Sequence, residues 1–411
     1  MSAPSASVSP PITHPAMPPG LVVLFLSLLL GIQPVTTDLY LPALPGLTAG
    51  FGASMAQAQL TLTSLLLAFG GAQLLLGPLS DRFGRRPILL WGMAAYTVAA
   101  IGSALAPAME VLILWRTVQG AAMGAAVVCA RAVLRDLYAP AAGARVMSQA
   151  FSGLGIIACL SPPLGGLLAS TLGWRAALLM LAVFAAVTLA LLALRFEETV
   201  QQKNPRALQP ATLLRTWWLV LQHPTFIAFT LLTVGSYAAL FTFLAGSSFV
   251  FIQVLGVGKT TYGLVLCSNA FAYFLGTFLC RRLLPRFGVR GTVAIAATLS
   301  LAGGSLVGIL ALTGWHSPWA IMLPFYLVML GHGVHQPCGQ SGAVGPFPQA
   351  AGAASALNGL GMMLAAFATG GWLGKHLDGT VLPLAYAIWF WSIVIALVGW
   401  TLVQKYGEPK P

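Results

Sequence analysis

The sequence predicts an all-α membrane protein, twelve transmembrane helices in two six-helix pseudo-repeats, on three observations. Hydrophobic residues make up 58% of the 411 and charged residues 7%, against roughly a quarter in an ordinary soluble domain. A single soluble core stops growing near ~250 to 300 residues, so lipid must cover the remaining apolar surface. Apolar stretches recur with short breaks, and a chain of 411 residues accommodates roughly twelve spans of about 20 residues. Lysine and arginine crowd into alternate connections, as the positive-inside rule requires of an even number of crossings. Together these exclude a soluble enzyme, a disordered linker and a disulfide scaffold.

Residues 1–19 carry six prolines and no charged side chain. They read as a disordered, uncleaved tail, because a secretory signal needs a basic leading segment. Spans follow at about 21–44, 57–77, 87–106, 111–133, 146–168 and 175–194, and a second set at about 224–246, 262–280, 291–313, 318–340, 353–374 and 382–404. The longest polar break lies between the sets, giving an N-terminal half at 20–195, a linker at 196–223, a C-terminal half at 224–404 and a short tail at 405–411. The five cysteines (Cys129, Cys159, Cys267, Cys280, Cys338) form no CxxC pair and read as inert core thiols.

Arg175, Lys259 and Lys375 are the only basic residues in the odd-to-even connections, while sixteen occupy the even-to-odd connections and the C-terminus, with Arg116 left inside a span. Both termini are therefore expected on the cytoplasmic side. The net charge of +12 reports orientation and contact with anionic lipid, not nucleic acid. An internal repeat supports the two halves. Leu79-Ser80-Asp81-Arg82-Phe83-Gly84-Arg85-Arg86 follows the second span, and Leu283-Leu284-Pro285-Arg286-Phe287-Gly288-Val289-Arg290 follows the eighth. Parallel six-span repeats are typical of one large class of secondary transporters.

Gly77-Pro78-Leu79-Ser80-Asp81-Arg82-Phe83-Gly84-Arg85-Arg86-Pro87 resembles the GxLaDrxGrkP loop signature of the major facilitator superfamily at nearly every position. Gly84 permits a tight turn, and Asp81 at a helix end can meet nearby cations or another helix's N-terminus. We read Gly77, Asp81, Arg82, Gly84, Arg85 and Arg86 as a conformational latch. Thr37 to Pro45 (TDLYLPALP) is similar to the first-helix motif of the twelve-span drug:proton antiporters, especially the Bcr/CflA drug-resistance family. Arg116-Thr117-Val118-Gln119-Gly120 matches the superfamily's RxxQG motif, and Arg131 to Tyr138 (RAVLRDLY) is Bcr/CflA-like. Ser161-Pro162-Pro163-Leu164-Gly165-Gly166 resembles the antiporter motif GPxxGG, with Ser161 where the first glycine is usual. In the second half, Phe241 to Gly246, Phe251, Pro346-Phe347-Pro348 and Ala351-Gly352 look like the same family. The resemblance implies a major facilitator fold and residence in a bacterial inner membrane; we expect a monomer without a cofactor. It also implies proton-coupled export of small amphipathic drugs such as chloramphenicol- or bicyclomycin-like antibiotics by alternating access. Export of an endogenous metabolite (a nucleoside, sugar or amino acid derivative) is the alternative on the same fold.

Two charges sit well inside the expected spans, Asp38 and Arg116. A charge at a helix centre costs about 2.5 to 3.5 kcal/mol on insertion scales, so each calls for a role. At 1.5 Å per residue both fall in the outer half of the bilayer, on different helices of one half. We expect Asp38 to carry the proton and Arg116 to tune it, with pairing between them open, since hydration and distance to a cation both govern a carboxylate's protonation. A pocket between the halves should be mostly apolar and aromatic with a few polar anchors. Tyr40, Gln119, Tyr237, Phe241, Phe243 and Asn269 are the candidates. Pro162 and Pro163 should bend the fifth span, and Gly153, Gly155, Gly165 and Gly166 should permit close packing. His332 and His335 share a face three residues apart, without the further ligands a zinc site needs. Their expected role is polar lining or interhelical hydrogen bonding.

Other classes fare poorly. The sequence contains no GxxxxGK[ST] loop of an ATP-driven pump, and neither charged rings nor a repeated filter segment of a channel. With eight Asp and Glu residues in all, an intramembrane metal or acid cluster is unsupported.

Overall fold

The computed structural model describes residues 17–138, 140–200, 203–205 and 207–407. Most of the expected N-terminal tail and the last four residues of the C-terminal tail lie outside the described residues. Among those described, every regular element is helical.

The first span is interrupted. α1 (Pro19–Asp38) stops at Asp38, the chain makes a single 3-10 turn at Leu41–Ala43, and α2 (Leu44–Phe51) completes the crossing. Pro42 and Pro45 remove two backbone donors from the ladder at this point, which favours the interruption. α3 (Met55–Phe83), α4 (Arg85–Ala104), α5 (Met109–Leu137), α6 (Pro140–Thr171) and α7 (Trp174–Arg195) complete the first half. Ser54 starts α3 with a capping box: its hydroxyl accepts from the Gln57 N–H, and the Gln57 carboxamide accepts from the Ser54 N–H.

A short helix in the linker, α8 (Pro210–Leu221), precedes α9 (Pro224–Phe249), which ends in a π-helical turn at Val250–Val254. α10 (Lys259–Leu312), α11 (Pro318–Val344), α12 (Ala351–His376), α13 (Leu382–Trp400) and α14 (Leu402–Tyr406) follow.

Among the described residues ten stretches are long and apolar enough to cross a membrane, and they contain eleven crossings. α10 has 54 residues and bends at Gly288 (φ 60°, ψ −174°), so it is long enough to cross a hydrocarbon layer of ~30 Å twice. The eighth and ninth expected spans are thus two limbs of one bent element. α11 is the twelfth crossing; its 27 residues are less apolar because His332, His335, Gln336 and Gln340 interrupt it.

The halves meet mainly where α3 packs on α12 and α6 on the first limb of α10. Small residues set both contacts. A Cβ on Gly70 would lie 2.8 Å from Met363 Cβ, and one on Gly374 would lie 2.9 Å from Ala56 Cα. The Gln59 carboxamide donates to the Ala245 carbonyl across the same boundary (2.7 Å).

Candidate functional site

Arg116 is wholly buried, and three hydrogen bonds and an aromatic face hold its guanidinium. Nη1 donates to Gln119 Oε1 (2.8 Å), Nη2 to the Thr36 carbonyl (3.2 Å) and Nε to the Thr61 carbonyl (3.4 Å). The Tyr40 ring lies against the cation, its centre 4.4 Å from the guanidinium carbon. The Tyr40 hydroxyl bonds Thr61 Oγ1 (2.8 Å), and Tyr96 bonds the Thr36 hydroxyl (2.6 Å). One cation therefore ties together α1, α3, α4 and α5. The break after Asp38 supplies part of this site, because the last carbonyls of a helix have no partner within it. Arginine fits where lysine would not, since its planar fork serves several fixed acceptors at once.

Asp38 is turned elsewhere. Thr36 and Tyr40 are four residues apart and share the face that meets Arg116, whereas Asp38, two from each, falls on the opposite face. Its Oδ1 accepts from the Thr37 hydroxyl (2.7 Å), and the residue is half-buried. Tyr237 of α9 and Tyr262 of α10 lie within electrostatic reach of the carboxylate, and Tyr237 also meets Gln33 of α1. Tyr262 is fixed by Ser247 (2.7 Å between hydroxyl oxygens). Direct pairing of Asp38 with Arg116 does not occur: the ion pairs among the described residues are those of Arg85 with Asp81 and Asp136.

The six expected pocket residues separate into three groups. Tyr40 and Gln119 are fully buried and committed to Arg116. Phe241 packs against Gly370, and Phe243 stacks on Phe325 of α11 with ring centres 4.3 Å apart. Both phenylalanines are buried in this conformation. Tyr237 lies within electrostatic reach of Asp38, and Asn269 is 4% exposed with neither amide atom hydrogen-bonded. A buried carboxamide without partners is costly, so it marks a position suited to an arriving polar group.

The antiporter-motif helix lines this region. α6 stays helical across Pro162 and Pro163, so the expected bend does not break it. A Cβ on Gly165 would collide with the Leu39 carbonyl, one residue beyond Asp38, and one on Gly166 would lie 2.6 Å from the Lys259 carbonyl of α10. Gly153 abuts Ser27 of α1, whereas Gly155 faces open space and sets no contact. His332 and His335 bond to different helices, Nδ1 of His332 to Ser236 (2.8 Å) and Nε2 of His335 to Ser300 (3.3 Å).

At the basic end of the bundle, Arg85 Nη1 bonds Asp81 (2.6 Å) and Ser80 (2.6 Å), and its Nε bonds Asp136 of α5 (3.0 Å). The Glu198 carboxylate accepts from the N–H groups of Arg85 (2.8 Å) and Arg86 (3.1 Å), capping α4 from the start of the linker. Arg86 donates to the carbonyls of Phe196 (2.9 Å) and Ala193 (3.0 Å). Gly84 is at φ 111°, a conformation that favours glycine, and a Cβ there would also push against the carboxylate end of Glu198. Arg82 lies over the neighbouring Phe83 ring (5.4 Å), and Gly77 contributes its carbonyl to Ser80 (2.8 Å). Asp136 and Glu198 are members that sequence reading missed. Their signal was rarity, two of only eight carboxylates next to a cluster of arginines.

Residues 26–370 match the family model described as Major Facilitator Superfamily. The chain belongs to that superfamily. Among the superfamily's relatives, a chloramphenicol resistance protein of Pseudomonas aeruginosa is 30% identical, the match covering 87% of this chain and 83% of that protein. Multidrug resistance protein D of Escherichia coli (strain K12) is also 30% identical, with 82% and 84% covered. The crystal structure of a D-xylose–proton symporter superposes with a TM-score of 0.70 at 17% identity, covering 93% of this chain and 97% of that one. The fold is that of a major facilitator transporter, and these two relatives are named as resistance proteins.

Proposed function

We propose that this transporter exports small amphipathic drugs in exchange for protons, by alternating access of a pocket between its halves. We place it in a bacterial inner membrane with both termini cytoplasmic. The observation that carries the reading is the position of Asp38: a carboxylate at the break of the first span, half-buried, within electrostatic reach of tyrosines of the other half and not bridged to a cation. Such a carboxylate is costly to keep charged when its surroundings are dry and much less so when they are wet. A drug that displaces water between Asp38 and Tyr237, or a half that rotates over them, changes that cost. Proton binding and drug binding are then linked, and the linkage is reciprocal.

Arg116 positions the site. It holds the broken end of α1 through the Thr36 carbonyl and so fixes where Asp38 begins. Substrate contact is assigned to Tyr237 and to the free carboxamide of Asn269, while Tyr40, Gln119, Phe241 and Phe243 support the walls. The names of the relatives favour chloramphenicol-like and other antibiotic substrates. Susceptibility to a drug panel, with and without the gene and with a protonophore, selects the substrate. Uptake of that compound into inside-out vesicles should follow an acid-inside gradient, and Asp38→Asn should abolish it while protein remains in the membrane. Full gradient-driven uptake by Asp38→Asn would defeat the assignment.

A further inference from the structure

α6 and the first limb of α10 run antiparallel where the two halves touch, and two contacts fix their register. Gly166 lies against Thr260, with a Cβ there 3.0 Å from Thr260 Cα, and Gly263 lies against Pro163, with a Cβ 2.9 Å from Pro163 Cα. Descending α6 from Gly166 to Pro163 thus matches, step for step, the advance along α10 from Thr260 to Gly263. Four more steps on each helix bring Cys159 opposite Cys267. The register places these two residues at the same level on adjoining helices, each thiol within electrostatic reach of the other. Both cysteines keep partial solvent access, whereas Cys280 and Cys338, 3.7 Å apart between sulfurs, are buried and belong to one half. The approach is close because Gly263, one turn from Cys267, brings the two backbones together.

We infer that Cys159 and Cys267 form an oxidation site that joins the two halves by a disulfide when a peroxide reaches the cleft. One sulfur attacks a peroxide oxygen, the O–O bond breaks, and a sulfenic acid and one water result. The second thiol then displaces the sulfenic oxygen as a second water, and the S–S bond forms. Two thiols are oxidised, one peroxide is reduced, and both thiol protons leave in water. Since the bond would tie α6 to α10 across the boundary that alternating access moves, the oxidised transporter is locked.

The test uses full-length protein in liposomes, with a protease site inserted in the linker between Thr199 and Pro210. After hydrogen peroxide and cleavage, the halves should run together on a gel without reductant and separate with dithiothreitol. In Cys159→Ser and Cys267→Ser they should separate in both cases, whereas Cys280→Ser should behave as wild type. Wild-type halves that separate without reductant, or halves that stay joined in Cys159→Ser, would overturn the site. Peroxide should also stop wild-type transport reversibly and spare Cys159→Ser; undiminished transport by the cross-linked protein would overturn the lock. The gel needs no substrate, so it stands whether or not the drug-export reading holds.

Discussion

Arg116 and Asp38 are the two charges expected inside the membrane, and the structure gives them opposite treatment. Arg116 has its charge dispersed over two carbonyls, a carboxamide and an aromatic face. Asp38 has one hydroxyl and is half-buried. A group so fully enclosed suits structure, and one so sparingly served suits exchange. Arg116→Lys keeps the charge but cannot reach all three acceptors. Leaving buried acceptors unpaired costs about 1 to 3 kcal/mol each, so a melting curve in detergent should fall by several degrees, with transport lost. An unchanged melting temperature and normal transport would show that the fork is dispensable. The presence of both residues was legible from their rarity in apolar sequence. Their separation was not, because hydropathy does not tell which face of the first span meets Arg116.

Elements were legible in kind and less so in extent. Hydropathy located the spans, yet α10 joins two of them around Gly288, and α3 continues through Pro78 to Phe83 where a stop near position 77 was expected. In each case a helix runs on past the apolar stretch that marked it. The motif glycines in α6 show which small residues carry contacts. Gly165 meets the Leu39 backbone, so Gly165→Leu should force α1 and α6 apart and abolish transport. Gly155 has nothing within 4 Å, so Gly155→Leu on the same helix should transport normally. The pair of variants in one vesicle assay checks the assignment: equal loss in both would mean that bulk anywhere on α6 is harmful, and equal activity would remove Gly165 from the interface.

For the whole molecule, the repeat and the alternation of basic residues indicated two halves, and the superfamily membership agrees with that division. What joins the halves was not legible. Glu198 reads as a linker charge until the fold brings it to the N-terminus of α4, and Cys159 and Cys267 read as inert core thiols until α6 and α10 align. Each depends on segments distant in sequence, with no local pattern to announce it. The central claim is that loading a drug and losing a proton are one coupled event at Asp38. Proton release on drug binding tests it most directly, using purified protein in weakly buffered detergent with a pH-sensitive dye and the drug selected by the susceptibility panel. The account predicts up to about one proton released per drug bound by wild type, and none by Asp38→Asn at a concentration that still saturates it. Equal release from Asp38→Asn would contradict it.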